Sequence, residues 1–173
     1  VCHNRRGRDR PPPTLRGRMS MDISVLPERH LHEGPLPPSR VAEVQASFAA
    51  DSRIGGIVSF AGLIRADKTP EGRVRAIDFT AYEEMAEPGI REMAERIARE
   101  VAEKHGGPVR IYAEHALGLV EVGEAPILIV AGAGHRPAAF ELCRSVLEAL
   151  KSEIPIYGKE LLEGSGHRWK ENR

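Results

Sequence analysis

The sequence predicts an α+β fold with a mostly antiparallel sheet and three main helices. Three observations lead there. Three stretches repeat apolar residues at helical spacing, apolar runs of strand length lie between them, and several of those runs follow one another across turn-forming residues alone. The resulting order, β-α-β-β-α-β-β-α, mixes hairpins with helices and favours antiparallel pairing over a regular βαβ alternation.

Taken in order, "DISVLPE" reads as a short first strand. "PLPPSRVAEVQASFAAD" reads as a helix with Ser39 as N-cap and Val41, Val44 and Phe48 on one face. "GGIVSFAGLIR" is a near-continuous apolar strand from Gly56 to Arg65. The turn-rich "ADKTPEGR" follows, then the alternating "VRAIDFTAY", so these two strands are expected to pair as a hairpin with a long tip. "EPGIREMAERIAREVAEKHGG" is the clearest helix. Pro88 suits its first turn, Ile90, Met93, Ile97 and Val101 form its stripe, and Gly106 and Gly107 end it. "VRIYAEHALGLVEVGEAPILIVAGAG" supplies two or three further strands, turning at Gly123–Pro126. "RPAAFELCRSVLEALK" is the third helix, with Pro137 in its first turn and Phe140, Cys143, Leu147 and Leu150 at helical spacing.

The 173 residues suit one domain, and 41% hydrophobic content supports a core. No apolar run approaches the roughly 20 residues needed to span a bilayer. Basic and acidic residues balance at 25 each, few aromatics occur, and the folded part has no basic stripe, so neither nucleic acid nor a membrane is an expected partner. Two cysteines make no disulfide framework, and a reducing, cytosolic setting is the simplest reading. Residues 1–20 hold six arginines and three consecutive prolines, a composition expected to be disordered. They lack the apolar segment of a secretory signal. Their arginine-rich, acid-poor flavour fits a transit peptide, but the prolines spoil an amphipathic helix. The favoured reading is a gene-start artefact, with the natural chain beginning at Met19 or Met21 and residues 21–173 forming the single domain.

Three stretches could carry chemistry. In "AGAGHRPAAF" an apolar strand ends in a glycine-rich turn, and His135 and Arg136 open a helix. Helix N-termini attract anions, and an Arg adds a fork of donors suited to phosphate or carboxylate. The plainer alternative is that Gly132 and Gly134 only make the turn while His135 caps the helix. In "SFAGLIRADK", Arg65 stands where an apolar strand gives way to a polar loop. In "LKSEIPIYGKE", Lys151 closes the third helix and Lys159 follows across an apolar bridge. A cation in a last helical turn also favours the helix dipole, which is a sufficient reason for Lys151 by itself. No histidine or cysteine spacing suits a metal, and no Gly-x-Ser-x-Gly elbow occurs. Trp169 is expected to be a packing anchor.

Together "FAGLIR", "AGAGHRPAAFE", "LKSEIPIYGKE" and "HRWKEN", in that order and spacing, resemble the large, catalytic subunit of molybdopterin synthase, the MoaE family. The resemblance covers about Met21 to Asn172. It implies an α/β-hammerhead fold and a homodimer with one small ubiquitin-like sulfur carrier of the MoaD type docked at each end. It further implies that the carrier's C-terminal Gly-Gly thiocarboxylate gives sulfur to cyclic pyranopterin monophosphate, forming the molybdopterin dithiolene. No metal or organic cofactor is implied. By motif position, Phe60 and Arg65 match the family's pocket strand, His135 and Arg136 its His-Arg pair, and Lys151 its catalytic lysine.

One departure matters. Where the family usually reads Pro-[Ile/Phe]-Trp-Lys-[Lys/Arg]-Glu, this chain has "PIYGKE". Tyr157 replaces the Trp and Gly158 stands where a second catalytic lysine is expected. In an extended segment adjacent side chains point to opposite faces, so Lys159 replaces that lysine only if Gly158 permits a kink. Otherwise the site works with one lysine, or the protein is a weakened module that docks the carrier without efficient turnover. His135 and Lys151 sit at opposite ends of one helix, roughly 20 Å apart. If both serve one site, that site is shared across the dimer interface.

Overall fold

The computed structural model describes residues 21–164 and 166–169, so the expectations for residues 1–20 lie outside the described part. In chain order the elements are β1 (Ile23–Leu26), β2 (Leu31–Glu33), α1 (Ser39–Ala49), β3 (Gly56–Gly62), β4 (Lys68–Thr69), β5 (Gly72–Ala81), α2 (Glu83–His105), β6 (Val109–Glu121), β7 (Ile127–Ala133), α3 (Arg136–Glu153), β8 (Ile156–Leu162) and β9 (His167–Trp169). The α+β class and the three helices stand. The sheet runs β3-β7-β6-β5-β8-β9, with every pair on this path antiparallel and β1 and β2 added in parallel along β6.

β6 is the spine. Its first half, Val109–His115, pairs with β7, and its second half, from Gly118, pairs with β5. Gly118 has φ of 73°, a conformation that costs a side-chain-bearing residue free energy, so the glycine lets the strand turn between two halves of the sheet. α2 covers one face with Ile90, Met93, Ile97 and Val101, the expected stripe, all buried. Gly106 ends the helix at φ 72°, its N–H donating to the Ala102 carbonyl at 2.8 Å. α3 packs on α2, β7 and β3 through Ala138, Ala139, Leu142, Cys143, Val146 and Leu150. Burial of Cys143 pushes its thiol up to about 11, as befits an inert core residue.

The local expectations fail at five places, each for a physical reason. The strand after Gly56 does not form a hairpin with "VRAIDFTAY". β3 pairs instead with β7, a strand buried along its whole length that needs a neighbour on each side, and β5 lies between β6 and β8. Ser39 is the first helical residue; Pro38 holds the cap position and no side chain caps α1. Pro88 lies in the second turn, because α2 begins at Glu83, where Glu83 and Glu84 favour the positive helix end. Phe140 is exposed on α3 rather than part of its apolar stripe. Trp169 is 64% exposed and anchors no core.

Candidate active site

An open cleft of about 1110 Å³ is set where the two halves of the sheet meet. Its floor is apolar, from Phe79, Ile127, Leu150, Ile154 and Ile156. Its walls bring together elements remote in sequence. The end of β3 and the loop after it contribute Phe60 and Arg65. The last turn of α3 contributes Lys151, the β4 arm Lys68, and the β8–β9 ladder Glu160 and Arg168. Four cations thus line the cleft against two carboxylates, Asp67 and Glu160, so its field favours anions.

Partners within the cleft are unequal. Arg65 donates to Asp67 at 2.8 Å, both side chains being exposed. Arg168 donates through Nε to the buried Glu160 carboxylate at 2.5 Å, and its Nη1 lies 3.9 Å from Glu71. His115 lies in the floor, buried, with Nδ1 2.8 Å from the Ala116 carbonyl and its ring edge-on to Phe79 at 5.0 Å between centroids. Lys68 and Lys151 are both exposed at the wall.

The "IPIYGKE" bridge is strand β8, and it explains Lys159. Register with β5 is continuous from Ile156 to Leu161, so side chains alternate without a kink. Ile156, Gly158 and Glu160 face the cleft, whereas Tyr157 and Lys159 face the other way, with Lys159 opposite Asp78 on β5 and Trp169 on β9. Gly158 does not re-aim Lys159, which is a correction to that possibility. Nor is there spare room at Gly158. A Cβ there would lie 3.0 Å from Ile77 Cγ2 and 3.2 Å from Phe79 Cε1, so these side chains have closed over the position.

His135 and Arg136 lie elsewhere. α3 and β3 start side by side, and the far ends of both line the cleft. Gly55 and Gly56 pack so closely on Gly134 and Arg136 that a Cβ at Gly55 would meet the Gly134 carbonyl at 2.3 Å. The His-Arg pair therefore sits beside the start of β3, and the cleft lies beyond its far end. Fifteen helical residues separate Arg136 from Lys151, about 22 Å. His135 and Arg136 are exposed, and the His135 side chain makes no capping bond, so the simple capping role does not hold. Six further cleft residues, Lys68, Phe79, His115, Glu160, Arg168 and Trp169, escaped sequence reasoning. Glu160 and Arg168 stand inside the quoted "GKE" and "HRW" motifs, which was the available signal. Lys68 closes the quoted "SFAGLIRADK", where only Arg65 was singled out, and Phe79 carries no such signal.

An α+β domain with four cations and two carboxylates around one cleft defines a protein whose cleft suits anions. The chain belongs to the MoaE family: the family profile described as "MoaE protein" matches residues 36–153. It is 36% identical over 146 residues to the molybdopterin synthase catalytic subunit of Synechococcus elongatus, covering 82% of each chain. It is likewise 36% identical over 129 residues to that of Pyrococcus abyssi, covering 75% of this chain and 82% of the relative. Among solved structures, the complex of subunits 1 and 2 of the molybdopterin-converting factor from Helicobacter pylori shares the fold, with a TM-score of 0.63, 20% identity, and coverage of 83% of this chain and 90% of that one.

Proposed function

We propose that this chain is the catalytic subunit of a molybdopterin synthase. It takes sulfur from the thiocarboxylated C-terminus of a small carrier subunit and transfers it to cyclic pyranopterin monophosphate, two loaded carriers in turn supplying the two sulfurs of the dithiolene and each leaving as a carboxylate. The observation that carries the reading is convergence. Phe60, Arg65 and Lys151, three positions singled out by motif, come from a strand, a loop and a helix end onto one cleft in a chain of this family. Thiocarboxylate and cyclic phosphate are both anions, and bringing them together needs convergent cations. The same cations stabilise negative charge that builds during transfer. Lys151, a compact charge at the rim, also stands where it can pass a proton to or from the reacting groups. The small-subunit partner has support from the two-subunit assembly of the Helicobacter pylori relative.

The chain acts as a homodimer in this reading, with His135 and Arg136 of one subunit completing the cleft of the other. Their separation from Lys151 along α3 supports this. The deciding experiment is single-turnover conversion of cyclic pyranopterin monophosphate with thiocarboxylated carrier. Product formation is the expected result. Gly158, closed over by Phe79 and Ile77, favours a second reading, a module that docks the carrier without turnover. Carrier binding with no product would select it, and absence of both would reject the family function for this chain.

A further inference from the structure

Resting on that reading, we infer that Lys68 is the second lysine of the site, reaching the cleft from the β4 arm and holding an anionic group of the bound reactants. Its charge is available. Arg65 is paired with Asp67 and Arg168 with Glu160. Lys68 has no hydrogen bond or ion pair from its ammonium among the described residues. The wall position opposite Phe79 on β8 offers only Gly158, and Lys159 faces away.

The placement of Lys68 is fixed by its backbone. β4 pairs with β5 in the register Lys68↔Arg73 and Thr69↔Gly72. Thr69 Oγ1 donates to the Gly72 carbonyl at 2.8 Å, and the Glu71 N–H donates back to Thr69 Oγ1 at 3.2 Å. The Val74 N–H bonds the Asp67 carbonyl at 2.9 Å. The arm is thus tied down on both sides of Lys68. Register also sets two cations directly opposite each other, Lys68 and Arg73, an arrangement that opposes pairing in a short ladder. An anion in the cleft beside Lys68 relieves that repulsion, which gives the position a reason that a solvated surface lysine lacks. The ligand chemistry is a phosphate or a thiocarboxylate, the two anions that must meet here.

The test measures equilibrium binding of cyclic pyranopterin monophosphate and of thiocarboxylated carrier separately, for wild type, Lys68→Ala, Lys68→Arg and Lys159→Ala, with single turnover in parallel. Lys68→Ala is expected to weaken one of the two ligands about tenfold, the loss of one charge-assisted contact, and to slow turnover at subsaturating concentrations of that ligand. Which ligand is weakened assigns phosphate or thiocarboxylate. Lys68→Arg, which keeps the charge, should recover most of the loss, and Lys159→Ala should change neither affinity. Unchanged binding of both ligands to Lys68→Ala, with melting temperature unchanged, would overturn the assignment. A wild type that binds both ligands but forms no product would instead sink the catalytic reading, and the Lys68 effect on binding would still stand or fall by itself.

Discussion

The two ends of α3 carry the same kind of side chain and do different things with it. At the C-terminal end Lys151 faces a concave space walled by β3, β4, β8 and β9, over a floor of buried apolar residues. At the N-terminal end His135 and Arg136 stand on an exposed helix start, one turn before the exposed Phe140. One end borders a cleft; the other does not. A helix of 18 residues cannot bring both to a single substrate, and this is why the proposed shared cleft would draw His135 and Arg136 from a partner.

The largest effect expected is at the concave end. Lys151→Ala should lower turnover by about 10²-fold or more, the scale of a lost proton-transfer or charge-stabilising group. Its stability cost should be only about 0.3–1 kcal/mol, because a helix-end lysine contributes little to folding. Unfolding of this variant would show Lys151 to be structural and erase the contrast between the ends.

Next comes the wall itself. Gly158→Lys restores the residue type expected there, yet Phe79 and Ile77 must move to admit it. A destabilisation of about 1–3 kcal/mol, read from the denaturation midpoint, and no gain in turnover are expected. Faster turnover would mean that the cleft has kept room for that lysine and that Lys68 has not replaced it.

A third measurement separates fold from site. His30 is fully buried, with one ring nitrogen 2.8 Å from the Ala113 carbonyl and Nε2 without a partner among the described residues. Burial holds its pKa below the usual 6.5, and the Ala113 hydrogen bond opposes that shift without reversing it. The unfolded chain then binds the extra proton first. Stability is full above about pH 6.5 and falls as pH drops toward the lower folded value. His30→Gln should flatten this slope while leaving the affinity of the cleft for its anions unchanged. A slope that survives the substitution would place the responsible group elsewhere. Smallest is Lys159→Ala, expected to alter turnover by no more than about twofold because the side chain lies on the far face of β8.

Much of the fold was legible because it depends on local periodicity. The stripe of α2, the β6–β7 turn and the helix from Arg136 to the lysine at its end follow from apolar spacing and from glycine and proline chemistry. The partner of β3 was not legible. β5 and β7 are both good strand formers, and only the burial of β7 on both sides decides between them. Within the site, the motif-bearing Phe60, Arg65 and Lys151 were legible and do share a cleft. Lys68 was not, because in a turn-rich loop a lysine reads as solvated until the strand register shows which space it borders. The direction of Lys159 was left open for a related reason. Gly158 permits a kink, but permission is not a cause, and the pairing of β8 with β5 on one side and β9 on the other keeps the strand regular. Trp169 was misread because aromatic type predicts burial only on average.

The most direct test of the account mixes chains. Heterodimers of Lys151→Ala with Arg136→Ala contain one cleft with both residues intact, if Arg136 comes from the partner. Each homodimer alone should be impaired, and the mixture should regain a substantial part of single-turnover activity after subunit exchange. A mixture no more active than the average of its two parents would contradict the shared cleft, and would leave Arg136 without a role in the chemistry of this protein.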